Sequence, residues 1–240
     1  MTEAEWLVCG EPTPMLEFLR GRVSDRKLRL FACSCARRIW SLLADVRSQR
    51  AVEVAELLAD GSIHSDQLKE TRELAQQAMR NEFDQAALAA SDTLSDPNHL
   101  AYYASISASC AVRLPAWRGR DYASEVEEFA LMTHDERNGV LWAIEPKIAW
   151  IYELGSQASL FREIVGIPFK PITLNPTWLT STVVSLASGI YEEKAFDRMP
   201  ILADALQDAG CDNEDILNHC RQRGEHARGC WVVDLVLGKT

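Results

Sequence analysis

The chain has 240 residues, with 35 acidic and 25 basic side chains, a formal net charge of −10 and a pI near 5.0. That balance argues against general attraction to nucleic acid or anionic membrane surfaces, and the 47% hydrophobic content is enough to core one large domain or two small ones. No apolar run approaches the roughly 18 residues of a membrane span. The acidic start MTEAEWLVCGEPTP lacks the basic region of a secretory signal. Seven scattered cysteines then point to reduced thiols and a cytoplasmic location.

Helical punctuation dominates from the N-terminus onward. Thr2 with Glu5 forms a capping box opening a short helix, and Pro14 starts a second that ends at Gly21. Ser24 caps a long helix over 25–43, with Leu28, Phe31, Ala32, Cys35, Ala36, Ile39, Trp40, Leu42 and Leu43 on one broad face. Cys33 and Cys35 point about 200° apart on a helix, so they cannot chelate one ion together. Asp45 caps the next helix, which Gly61 ends, and Ser65 caps a third running over 66–91. Residues 95–98 read as a loop. The small residues of 98–113 read as a packed interior helix, and 117–120 as a second loop. Within the mixed segment 121–144, His134 beside acidic residues reads as a surface histidine rather than a base. Glu145-Pro146 suits the start of a helix running through Ile164.

GIPFKP at 166–171 reads as an extended connector. It divides an N-terminal helical lobe, 1–165, from a C-terminal lobe, 166–240, although the whole also reads as one domain. Asn175 and Thr180 are capping residues for a helix through Val183 and Ile190, Asp197 caps a helix that Gly210 ends, and Asp212 or Asn213 caps another. The apolar finish at 230–237 fits a helix or a strand. The fold expected is all-α, a multi-helix globular bundle of roughly eight to ten helices.

Two stretches carry chemistry. Residues 20–50 hold nine basic side chains against two aspartates, a local +7 that leaves −17 for the rest of the chain. Arg26, Lys27, Arg37 and Arg38 gather opposite the apolar face of the 25–43 helix, which makes them the candidate interaction surface. The partner expected is another protein. Nucleic acid is the alternative, without aromatic interleaving to stack bases, and internal pairing with a solvated face is the plain reading. On the interaction reading, reversing charge at Arg37 and Arg38 leaves folding intact and abolishes partner capture.

The second stretch is the dense group His219, Cys220, His226 and Cys230, a candidate metal site with zinc the cofactor it suggests. Its H-C-x5-H-x3-C spacing matches no standard finger, and adjacent His219 and Cys220 point about 100° apart on a helix. In the plain reading the two cysteines are buried small hydrophobes. A thiol reading makes Cys230 a nucleophile with His226 as its base and Asp234 as the third group. No phosphate-binding glycine loop, nucleophile elbow or internal repeat is present. No catalytic residue is therefore assigned, and the leading expectation is a non-enzymatic protein-interaction module.

LRLFACSCARRIW, REIVGIPFKPITLNPTWL, FDRMPILADALQDAGCDNEDILNHCR and RGCWVVDLVLGK together resemble a family of bacterial proteins found in many paralogous copies in some genomes. The likeness covers most of the chain. It brings no activity, cofactor or catalytic residue with it, and implies a whole protein in an accessory role.

Overall fold

The computed structural model describes residues 1–63, 65–79, 85–95, 101, 104–106, 108, 137–170 and 172–239, with backbone alone at 65, 85 and 137–150. Among these residues every regular element is helical. The α-helices are α1 (Glu3–Val8), α2 (Pro12–Phe18), α3 (Asp25–Arg38), α4 (Val46–Ala59), α5 (Ser65–Ala78), α6 (Gln85–Asp92), α7 (Arg137–Val165), α8 (Ser181–Glu193), α9 (Met199–Asp208), α10 (Glu214–Arg221) and α11 (Trp231–Leu237). None is long and apolar enough to cross a membrane. The loop expected at 117–120 and His134 lie outside the described residues.

Local chemistry sets most boundaries. The Thr2–Glu5 capping box forms, and Ser24, Asp45, Thr180 and Asn213 each accept a backbone N–H at the start of a helix. Four expectations change. α3 stops at Arg38, and a 3-10 turn over Trp40–Leu42 succeeds it, which sinks Ile39 and Leu43 into the core and lays Arg37 over the Trp40 ring. The expected 66–91 helix is two helices, because the Met79 N–H turns back to the Gln76 carbonyl in a closing turn. α7, described over Arg137–Val165, carries Pro146 in its interior rather than at its start, at the loss of one ladder hydrogen bond. Asp197 lies in a 3-10 turn before α9 rather than capping it.

Buried apolar side chains fall into two clusters. One joins α1 to α7 and holds Trp6, Met15, Phe31, Ile39, Phe161 and Ile164. The buried alanines of α4, α5 and α6 let those helices pack closely. The other joins α8 to α11 and holds Ile190, Met199, Leu206, Ile216, Val232 and Val236. The ambiguous finish is a helix, because its valines pack against α8.

The junction between these clusters is polar, and the basic helix supplies much of its charge. Arg26 pairs with Asp234 at 2.7 Å and donates to the Tyr191 hydroxyl, and Lys27 reaches Asp234 at 2.5 Å. Lys27 Nζ also donates to the carbonyls of Ile164 and Gly229. Arg37 grips Glu56 through two nitrogens, and Lys194 and Arg228 reach the same carboxylate. Arg38 holds Glu153 and Glu225, while Arg228 also holds Asp60. Burial alone would push the Glu56 carboxyl up, but Arg37 and Lys194 hold it below its ordinary 4.5, and Asp60 is lowered by Tyr191, Arg228, Lys239 and Arg26 against the same penalty. A depressed carboxyl pKa adds stability above the unfolded value and loses it as pH falls through the folded one. Urea midpoints are therefore expected to hold from neutrality to about pH 5 and to drop below it.

A candidate metal centre at the junction

The site is assembled from three elements. Glu163 comes from the last turn of α7, His219 from α10, and His226 and Cys230 from the loop 222–230 that leads into α11. Gly229 shapes that loop. Its φ of +96° is open to glycine, and an added Cβ would lie 2.9 Å from Leu30 Cδ1. Both effects oppose a side chain, so Gly229→Ala is expected to destabilise the chain by roughly 2–4 kcal/mol in urea unfolding. Lys27 on the Gly229 carbonyl and Arg38 on Glu225 tie the loop to α3.

One ligand atom from each of Glu163, His219, His226 and Cys230 lies within 4.8 Å of all the others. His219 Nε2 is 3.2 Å from Cys230 Sγ and 3.1 Å from Glu163 Oε2, and His226 Nδ1 is 2.9 Å from Glu163 Oε1. All four side chains are at least nine-tenths buried. Ionised Glu163 only accepts, so His226 donates from Nδ1. The His219 contact lies off the hydrogen-bonding direction, which leaves the buried Glu163 Oε2 without a formed hydrogen bond within the protein. Burial raises the Glu163 carboxyl, but the two histidines more than offset it and hold it at about 2. It is thus available as an anionic ligand across the ordinary pH range. Trp231 donates its indole N–H to His219 Nδ1 at 3.0 Å, so that nitrogen carries the lone pair and Nε2 the proton aimed into the cluster.

Of the four residues expected to share an ion, the fold brings His219, His226 and Cys230 together. Cys220 is outside this group, because one residue along α10 turns it about 100° from His219 into the second apolar cluster. Glu163 takes the fourth corner and was not anticipated. An amphipathic reading sends a lone glutamate at a helix end to solvent, and only the folding of the 222–230 loop over it reverses that.

The thiol reading loses its geometry here. Cys230 is fully buried, and burial together with Glu163 pushes its thiol well above 9. Its neighbour is His219 rather than His226, and Asp234 is engaged by Arg26 and Lys27. No Cys–His–carboxylate relay forms, because Glu163 approaches the same His219 nitrogen as the sulfur does.

Arg26, Lys27, Arg37 and Arg38 all have acidic partners within the chain, and Arg26 and Lys27 are mostly buried. Four of the nine cations of this segment are thus answered from α4, α7 and α11. Charge reversal at Arg38 takes the counter-charge from Glu153, whose side chain is 5% exposed, and is expected to cost stability directly.

The chain is thus an all-α protein in which Glu163, His219, His226 and Cys230, four residue types able to ligate a metal, converge. No protein-family model, curated protein or solved structure matches the chain.

Proposed function

We propose that this chain is a metal-binding protein whose centre, Glu163, His219, His226 and Cys230, holds one divalent ion of the zinc class. The carrying observation is the convergence of four suitable donor atoms from three separate elements within 4.8 Å. Oxygen, nitrogen and thiolate together suit zinc or cobalt, whereas calcium and magnesium take oxygen ligands. Charge supports the same reading. The Glu163 carboxylate and a Cys230 thiolate balance a divalent ion, so the occupied site is neutral in a dry environment. Four protein ligands leave no open position, which fits a structural ion rather than a catalytic one. Its place between α7 and the C-terminal helices makes it a staple across the polar junction.

Elemental analysis of purified protein tests this. One equivalent of zinc is expected in wild type, with less than about one-tenth of that in Cys230→Ser after dialysis, since loss of a ligand weakens such sites strongly. Equal metal content in the two proteins contradicts the assignment.

A protein-interaction role is the second reading, and an exposed apolar surface favours it. Leu7, Val8, Ile151 and Tyr152 are exposed, and Ile151 borders an open groove with Cys9, Pro14 and Leu154.

A further inference from the structure

An open cavity of about 530 Å³ lies between the end of α4, one face of α8 and the end of α11, and none of the four converging ligand residues lines it. Its volume falls within the roughly 300–1,000 Å³ of small-molecule sites. We propose that it binds a small phosphate monoester, with the phosphate on Lys239, Ser62 and Ser188 and the apolar body on Val184, Val236 and Leu237.

Local sequence builds each wall. Val184, Ser188 and Tyr191 are spaced i, i+4, i+7, so α8 presents them as one stripe. α4 and α11 each close with a left-handed glycine, Gly61 and Gly238. The next residue in each case, Ser62 or Lys239, sends its N–H back 2.9 Å to the carbonyl of Leu57 or Asp234. These closing turns carry both residues to the cavity. The Lys239 ammonium comes to rest 4.4 Å from the centre of the Tyr191 ring.

Charge and donor supply select the ligand. The charged residues of the lining are Asp60, Glu192, Arg228 and Lys239. Asp60 already accepts from Tyr191, Arg228 and Arg26, so Arg228 is committed to it. Lys239 is not: its ammonium stands 3.7 Å from Asp60, beyond hydrogen-bond reach, on a side chain 34% exposed. Its three N–H donors have no acceptor among the described residues, and the Ser62 and Ser188 hydroxyls make no hydrogen bond to them either. The network behind this wall joins six cations (Arg26, Lys27, Arg37, Lys194, Arg228 and Lys239) to three carboxylates, Glu56, Asp60 and Asp234. Exposed Glu192 adds one negative charge, and the balance stays positive. A phosphate monoester brings close to two negative charges and three acceptor oxygens, which suits one ammonium and two hydroxyls and lowers that excess.

The test is calorimetric titration of phenyl phosphate into the purified full chain, with inorganic phosphate and benzyl alcohol as probes of head and body alone. One site for phenyl phosphate is expected, with each of the other two about tenfold weaker or more. Lys239→Gln is expected to keep the wild-type urea midpoint, since its pair with Asp60 is long and partly exposed, and to weaken phenyl phosphate about tenfold or more. Lys239→Arg should restore most of the affinity, and Ser188→Ala should lose about three- to tenfold. No binding of phenyl phosphate by wild type overturns the site, as does an affinity unchanged in both Lys239→Gln and Ser188→Ala. Benzyl alcohol binding as tightly as phenyl phosphate overturns the phosphate head, and inorganic phosphate binding as tightly overturns the apolar body.

Discussion

Asp234→Ala is expected to destabilise the protein by about 3–5 kcal/mol, the usual cost of breaking a buried ion pair from one side. Asp234 is 1% exposed on α11 and meets both Arg26 and Lys27 of α3. Truncation leaves Lys27 with carbonyl oxygens alone, and burial already lowers the Lys27 pKa despite Asp234. Arg26 keeps Asp60 and Tyr191, so most of the loss falls on Lys27. Asp234→Asn retains an acceptor oxygen and should recover part of the stability without the charge. Urea unfolding of the two variants beside wild type checks this. A loss below about 1 kcal/mol for the alanine variant, the scale of a surface pair, contradicts the view that the basic helix serves the junction.

Zinc should stabilise the wild-type chain by about 4 kcal/mol when free ion stands roughly 1,000-fold above its dissociation constant. For a chain of this size that corresponds to a midpoint rise of roughly 8–16 °C. The gain comes from binding only the folded arrangement, because α7, α10 and the 222–230 loop bring the ligands together only on folding. Glu163→Gln removes one anionic ligand and one of the two charges that balance the ion, so its thermal midpoint should respond little to zinc. Trp231 offers a second readout. Its N–H uses the His219 Nδ1 lone pair, and coordination at Nε2 moves the ring proton to Nδ1 and breaks that bond. Tryptophan emission should shift on zinc addition in wild type and stay fixed in Glu163→Gln.

The helical class and most caps were legible in one dimension, because a cap and its N–H lie two or three residues apart, as at Ser24, Thr180 and Asn213. The end of α3 and the place of Pro146 inside α7 were not, since burial of Ile39 and Leu43 and the tolerance of Pro146 depend on neighbours elsewhere. The site divides the same way. His219, His226 and Cys230 lie within twelve residues of each other and could be suspected from composition alone. Glu163 is 56 residues before His219 and has no local signature. The basic segment divides the same way. Its nine cations are visible as a run, whereas partners such as Glu56, Glu153 and Asp234 are scattered along 178 residues.

The most direct measurement is the absorption spectrum of the metal-free protein titrated with cobalt(II), beside Cys230→Ser. A near-ultraviolet thiolate-to-cobalt band and intense visible bands of tetrahedral cobalt, saturating at one equivalent, are the predicted result, with the thiolate band absent in the variant. Weak octahedral cobalt bands alone, identical in both proteins, would contradict a Glu-His-His-Cys metal centre.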